Sequence, residues 1–116
     1  MKIKSFEDII AWQKAKEQSI LVYKTFEKTR DFGFKDQVQR ASVSVMNNIA
    51  EGFERQTDKE FRQALYIAKG SCAEVRSMVY LALDLKMIDQ DQFSNMHQLN
   101  TTICRILSGF IKSLKE

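Results

Sequence analysis

The chain has 116 residues, 44% hydrophobic and 28% charged, with a net charge of +3, four glycines and no proline. That length and apolar share fit one domain over residues 1–116 with one continuous core, and the scarcity of turn formers argues against a sheet protein and for an all-α fold. The mild positive balance is compatible with nucleic acid but too small to identify it.

The segment Met1-Lys2-Ile3-Lys4-Ser5-Phe6-Glu7-Asp8 shows no apolar signal region, and no apolar run approaches the ~20 residues of a membrane span. A cytoplasmic protein without membrane contact is therefore expected. Cys72 and Cys104 lie in apolar helical patterns and read as reduced core thiols.

The first helix is expected over 5–29. Ser5 and Asp8 form a capping pair, and Phe6, Ile9, Ile10, Trp12, Ala15, Val22, Tyr23 and Phe26 make a broad apolar stripe. Gly33 is placed where a helix end takes the left-handed conformation. The second helix, over 34–55, buries Phe34, Val38, Ala41, Val45, Ile49 and Gly52, spaced by threes and fours.

The third helix, over 57–86, opens on Thr57-Asp58-Lys59-Glu60, a capping-box pattern. Its seam is Phe61, Leu65, Ala68, Cys72, Val75, Val79 and Ala82. The fourth, over 90–114, is capped by Asp89 with Gln92. It carries Phe93, Met96, Ile103, Leu107, Phe110 and Leu114, with Asn100 interrupting the seam. Links of a few residues force neighbours to pack antiparallel, giving an up-down-up-down four-helix bundle.

Two polar patterns stand out as candidate functional surfaces. On helix two, Gln37, Arg40, Ser44, Asn48, Glu51 and Arg55 form a line beside the core seam. A row in that register suits a side-chain network, a subunit interface or a ligand surface, with Glu51 held by an arginine: Arg40, Arg55, Arg62 or Arg76. On helix three, Arg62, Tyr66, Lys69, Arg76 and Tyr80 interleave cations and aromatic rings, which suits either a nucleic-acid surface or an ordinary helix face with snorkelling stems and boundary tyrosines. Lys14, Lys24 and Lys28 extend that positive charge on helix one. Residues 1–30 hold seven basic and four acidic side chains.

Catalytic and metal-binding patterns are lacking. The lone histidine, His97, has no carboxylate three residues before it, and there is no Cys-x-x-Cys, His-Glu-x-x-His or glycine-rich phosphate loop. Gly70-Ser71-Cys72 lies in a helical pattern without a base partner. Glu51 and Glu74 read as structural rather than catalytic carboxylates. No enzyme activity, metal or cofactor is expected.

Gln37-x-x-Arg40-Ala41-x-x-Ser44, then Asn48-Ile49-Ala50-Glu51-Gly52 and Arg55, closely resembles the four-helix bundle family of ribosomal RNA intervening-sequence proteins. Phe6, Trp12-Gln13-Lys14-Ala15 and Tyr23 resemble its first helix. Phe61, Leu65, Ile67-Ala68-Lys69-Gly70-Ser71 and Glu74 resemble its third. The resemblance implies an antiparallel bundle, assembly as a pentameric barrel around a channel, and no enzyme activity. It also implies kinship with the accessory proteins of diversity-generating retroelements, which bind nucleic acid and a reverse transcriptase through a basic surface. Two functions are thus expected to compete: a homo-oligomeric RNA- or DNA-binding accessory protein, and a ring-forming scaffold for a protein partner.

Overall fold

A computed structural model describes residues 3–114. Four helices follow one another: α1 Ile10–Thr25, α2 Phe32–Phe53, α3 Asp58–Asp84 and α4 Gln90–Ser113. A short 3₁₀ turn, Phe6–Asp8, precedes α1, and no strand occurs among the described residues.

The partners across each seam run in opposite directions. Gln37, Ser44 and Gly52 of α2 meet Glu74, Ser71 and Ala64 of α3. Arg62, Cys72 and Tyr80 of α3 meet Leu114, Asn100 and His97 in and just after α4. Gln18 of α1 reaches Asn100 of α4. Phe26, just after α1, packs edge-on against Phe34 near the start of α2, with ring centroids 5.2 Å apart. α1 touches α2 and α4 but not α3, so α1 and α3 lie on a diagonal. The result is the antiparallel four-helix bundle that the short links require.

The seams expected on α2 and α3 are all buried. On α1 the stripe is narrower than expected: Ile10 and Tyr23 are 54% and 46% exposed. In their place α1 buries Gln18 and Ser19, which continue the line of Ala15 and Val22 at helical spacing.

The ends of the first helix differ from expectation. Ser5 Oγ turns to the Asp8 carboxylate at 3.4 Å and caps no backbone amide. Ile9 is extended, and the α-helix begins only after it. At the other end the helix stops at Thr25, where the chain turns around fully buried Phe26. Gly33 is not a left-handed cap but lies inside α2. Asp31 starts that helix by accepting from Phe34 N–H at 3.0 Å.

The later ends follow the capping chemistry more closely. Thr57 Oγ1 accepts from Glu60 N–H at 3.1 Å, half of the expected box. Asp89 and Gln92 complete theirs at 2.8 and 2.9 Å. α3 ends in a Schellman arrangement: Met87 N–H bonds Ala82 O, and Lys86 N–H bonds Leu83 O. The left-handed residue there is Lys86, with φ 63°.

α2 and α3 approach most closely at Gly52. A Cβ at that position would lie 2.6 Å from Ala64 Cβ and 3.0 Å from Phe61 Cδ1. Neither neighbour has a flexible end that could move aside. Gly52→Ala is therefore expected to cost about 1–3 kcal/mol, despite its better helix propensity, measured by chemical denaturation. Lys86→Gly is expected to act in the opposite direction. It relieves a left-handed side-chain residue and should add about 1 kcal/mol in the same assay.

Candidate functional site

The line expected on α2 divides into three parts. In the middle, Ser44 Oγ and Ser71 Oγ share a hydrogen bond of 2.8 Å across the α2–α3 seam. Asn48 Nδ2 donates to Ser44 O at 2.8 Å and Ser44 Oγ at 3.1 Å. At one end, Gln37 Nε2 donates to Glu74 Oε2 at 3.3 Å, also across the seam. Arg40 turns instead to Asp36 on its own helix, at 2.9 Å with both side chains well exposed. Such a pair contributes a few tenths of a kcal/mol.

Glu51 is exposed and makes no ion pair among the described residues. With Asn48, Arg55, Glu60 and Gln63 it lines an open hollow over Gly52 and Ala64. The arginine expected to hold it is not on it within this subunit. The cause is the close helix approach, which leaves the Glu51 side chain outside the seam rather than within it.

A second polar constellation lies inside the bundle. Asn100 is fully buried on α4. Its Nδ2 donates to Gln18 Oε1 of α1 and to Cys72 O of α3, both at 2.8 Å. Its Oδ1 accepts from Arg76 Nη1 at 3.2 Å. The same Arg76 nitrogen lies 3.2 Å from Cys104 Sγ. One amide thus links three helices and draws a guanidinium toward the core. Gln18 Nε2 and Ser19 Oγ, also buried, have no hydrogen-bond partner among the described residues.

This arrangement separates the two thiols chemically. Cys104 is held well below the ordinary thiol range, at about 6. Contact with the Cys72 thiol favours its thiolate first, then the Arg76 hydrogen bond and charge, with a smaller contribution from Lys69. Burial opposes these effects without cancelling them. Cys72 is pushed up, by its contact with Cys104 and then by desolvation. The pair therefore favours the thiolate at Cys104 and the protonated thiol at Cys72.

The basic residues do not share one surface of the subunit. Lys14, Lys24 and Lys28 belong to α1 and the turn after it. Arg62, Tyr66, Lys69, Arg76 and Tyr80 belong to α3, on the other end of the diagonal. Arg76 points inward to Asn100 and Cys104. Arg62 Nη1 donates to Leu114 O at 3.3 Å. Tyr80 Oη bonds His97 Nε2 at 3.0 Å, within an aromatic group completed by Phe93. Tyr66 and Lys69 border a surface hollow with Ser108 and Lys112 of α4.

Sequence reasoning placed Arg76 on a phosphate-binding face and missed the internal cluster. The signals were present: Asn100 interrupts the α4 seam, and Gln18 lies at core spacing between Ala15 and Val22. Among the described residues there is no group of three or more His, Cys, Asp or Glu able to hold a metal ion. No helix among the described residues is long and apolar enough to cross a membrane.

The helix order and the Asn48-Ile49-Ala50-Glu51-Gly52 segment at the tight α2–α3 approach define a small antiparallel four-helix bundle with polar chemistry in its seams. Within that class, the chain belongs to the 23S rRNA-intervening sequence protein family, whose sequence model matches residues 7–109. Its fold is similar to that of a protein of unknown function from the S23 ribosomal protein family of Bacteroides thetaiotaomicron. The TM-score is 0.84 at 23% identity, over 90% of this chain and 100% of that one. No curated protein matches the chain.

Asn100→Leu tests the internal cluster. It removes the hydrogen bonds to Gln18, Cys72 O and Arg76 at once, leaving buried polar groups unmatched. A loss of about 2–4 kcal/mol is expected by denaturation. Glu51→Ala, outside the seam, should change subunit stability by no more than about 0.5 kcal/mol.

Proposed function

We propose that the chain is a non-enzymatic subunit of a ring-shaped homo-oligomer, a pentamer, that binds RNA or DNA as an accessory protein. The observation carrying the reading is the position of the exposed apolar side chains. α3 presents Tyr66, Ile67, Tyr80 and Leu81 outward, with Leu85 just after it, and α1 presents Ile10, Ile20 and Tyr23. These two helices do not touch.

The outer face of α3 is unusual for a solvated helix. Between Lys69 and Lys86 its only basic residue is Arg76, which turns inward. Gly70, Ala73 and Ser77 keep the face low along its centre and are exposed. Gly70 has open space where a Cβ would stand, so packing within the subunit does not require a glycine there. A flat, weakly charged face suits close approach by another copy.

Different apolar patches on opposite flanks support a head-to-tail contact. A self-complementary dimer would use one patch twice. The family's intervening-sequence bundles supply the five-fold expectation. Joining an α1 flank to the next copy's α3 flank would bring Lys14, Lys24 and Lys28 toward Tyr66, Lys69 and Lys112. The monomer keeps these groups apart, and assembly would make them one basic surface. The same assembly leaves its channel and rim open to a protein partner, which is the scaffold alternative. A cytoplasmic setting fits either role.

Light scattering after size exclusion should give a five-subunit mass at micromolar concentration. Gly70→Leu should shift it to monomer with helicity retained, because the subunit has room for the side chain. A monomeric wild-type chain would overturn the assembly. Affinity for a structured RNA should fall steeply with salt, and Lys24→Gln with Lys69→Gln should lower the log–log slope by about 2. Binding absent even at low salt would leave the scaffold reading in its place.

A further inference from the structure

We propose that Cys104 is a peroxide-sensitive modification site and that Cys72 closes its oxidised form to an α3–α4 disulfide. Both cysteines are free. Cys104 is half-buried at the α3–α4 seam, and Cys72 is fully buried behind it. The two sulfurs bracket Asn100: Cys72 Sγ donates to Asn100 O at 3.6 Å, and Cys104 Sγ lies 3.9 Å from Asn100 Oδ1.

A thiol that only fills a core needs no cation beside it, and a guanidinium is costly to draw inward. Here Arg76 Nη1 sits 3.2 Å from Cys104 Sγ, and Asn100 holds the same nitrogen in place. That geometry supports a thiolate, and the lowered proton affinity of Cys104 agrees with it. The titratable groups facing it are Cys72, Arg76 and Lys69, all on α3. Gln18, the α1 side chain reaching this layer, is neutral. A partly accessible thiolate beside a second thiol is the arrangement of a redox-responsive pair.

The chemistry balances with hydrogen peroxide as oxidant. The Cys104 thiolate attacks one peroxide oxygen; an S–O bond forms, the O–O bond breaks, and hydroxide leaves. Cys72 then attacks the sulfenic sulfur of Cys104. An S–S bond forms, the S–O bond breaks, and the departing hydroxide takes the Cys72 proton as water. The thiolate and thiol together lose two electrons, and peroxide becomes one hydroxide and one water. The first step removes the anion that makes Cys72 hard to deprotonate, while Arg76 remains close by. Oxidation also cancels the charge opposite Arg76, so this face of the bundle becomes one unit more positive.

The full-length chain would be treated with hydrogen peroxide at neutral pH, blocked with iodoacetamide and weighed intact without reductant. The expected product has lost two hydrogens, resists alkylation and is restored by dithiothreitol. Cys72→Ser should instead accumulate a dimedone-reactive sulfenic acid at residue 104. Alkylation of Cys104 in the unsubstituted chain should follow a pH profile with its midpoint below the ordinary thiol range. Arg76→Gln, checked for helicity, should raise the midpoint and slow the peroxide reaction about tenfold at pH 7. Two alkylatable cysteines after peroxide treatment, or disulfides only between chains, would overturn the proposal. Equal oxidation of Cys104→Ser would do the same.

Discussion

The packing of this bundle is organised around one buried amide. Asn100 spends both N–H groups and its oxygen on partners from α1 and α3. Apolar seams alone tolerate sliding by a helical turn, because one buried aliphatic side chain resembles the next. An amide does not, since a one-turn slip strands its donors in a low-dielectric interior. Asn100 therefore sets the relative heights of three helices. The apolar groups divide around it: Ala15, Ile103 and Leu107 belong to one core cluster, and Val22 and Met96 to the other.

The remaining helix, α2, is positioned differently. α2 meets α3 through Gly52 and Ala64 at one end, through Ser44 and Ser71 in the middle, and through Gln37 and Glu74 near the other. Small side chains bring the backbones together, and short hydroxyl groups find each other only because of that approach. The closeness has an outward consequence. Glu51 and Arg55 are left beside an open hollow instead of within the seam. Steric demands inside the subunit thus decide which polar groups of α2 remain available outside it.

The helices were legible in the sequence to the extent that side-chain spacing determined them. Val38, Val45, Ile49, Leu65, Ala68 and Val79 repeat at helical intervals and are buried as that pattern requires. The ends were legible where a side chain caps its own backbone, as at Thr57 and Asp89. They were illegible where two readings compete: Ser5 chose a carboxylate over an amide, and Asp31 started a helix through a glycine expected to end one. The polar row of α2 was visible, but its partners were not. A helical repeat fixes the azimuth of Arg40, Ser44 and Glu51, not the distance to the facing helix. Arg76 shows the same limit. Its line on α3 says that it lies near Tyr80 and Lys69; only the tertiary position of Asn100 turns it inward.

Arg76 is where interior and surface meet. Its guanidinium bonds a core amide and a seam sulfur, while its neighbours on α3, Lys69 and Tyr80, remain exposed. The two N–H donors of one guanidinium nitrogen reach Asn100 and Cys104 together. The cation is thus held by two groups with different chemical fates. The amide bond persists for as long as the bundle is folded. The sulfur contact is the one that the proposed oxidation would change. The bundle can therefore keep its register fixed while the charge on one flank changes, because register and charge rest on different partners of the same side chain.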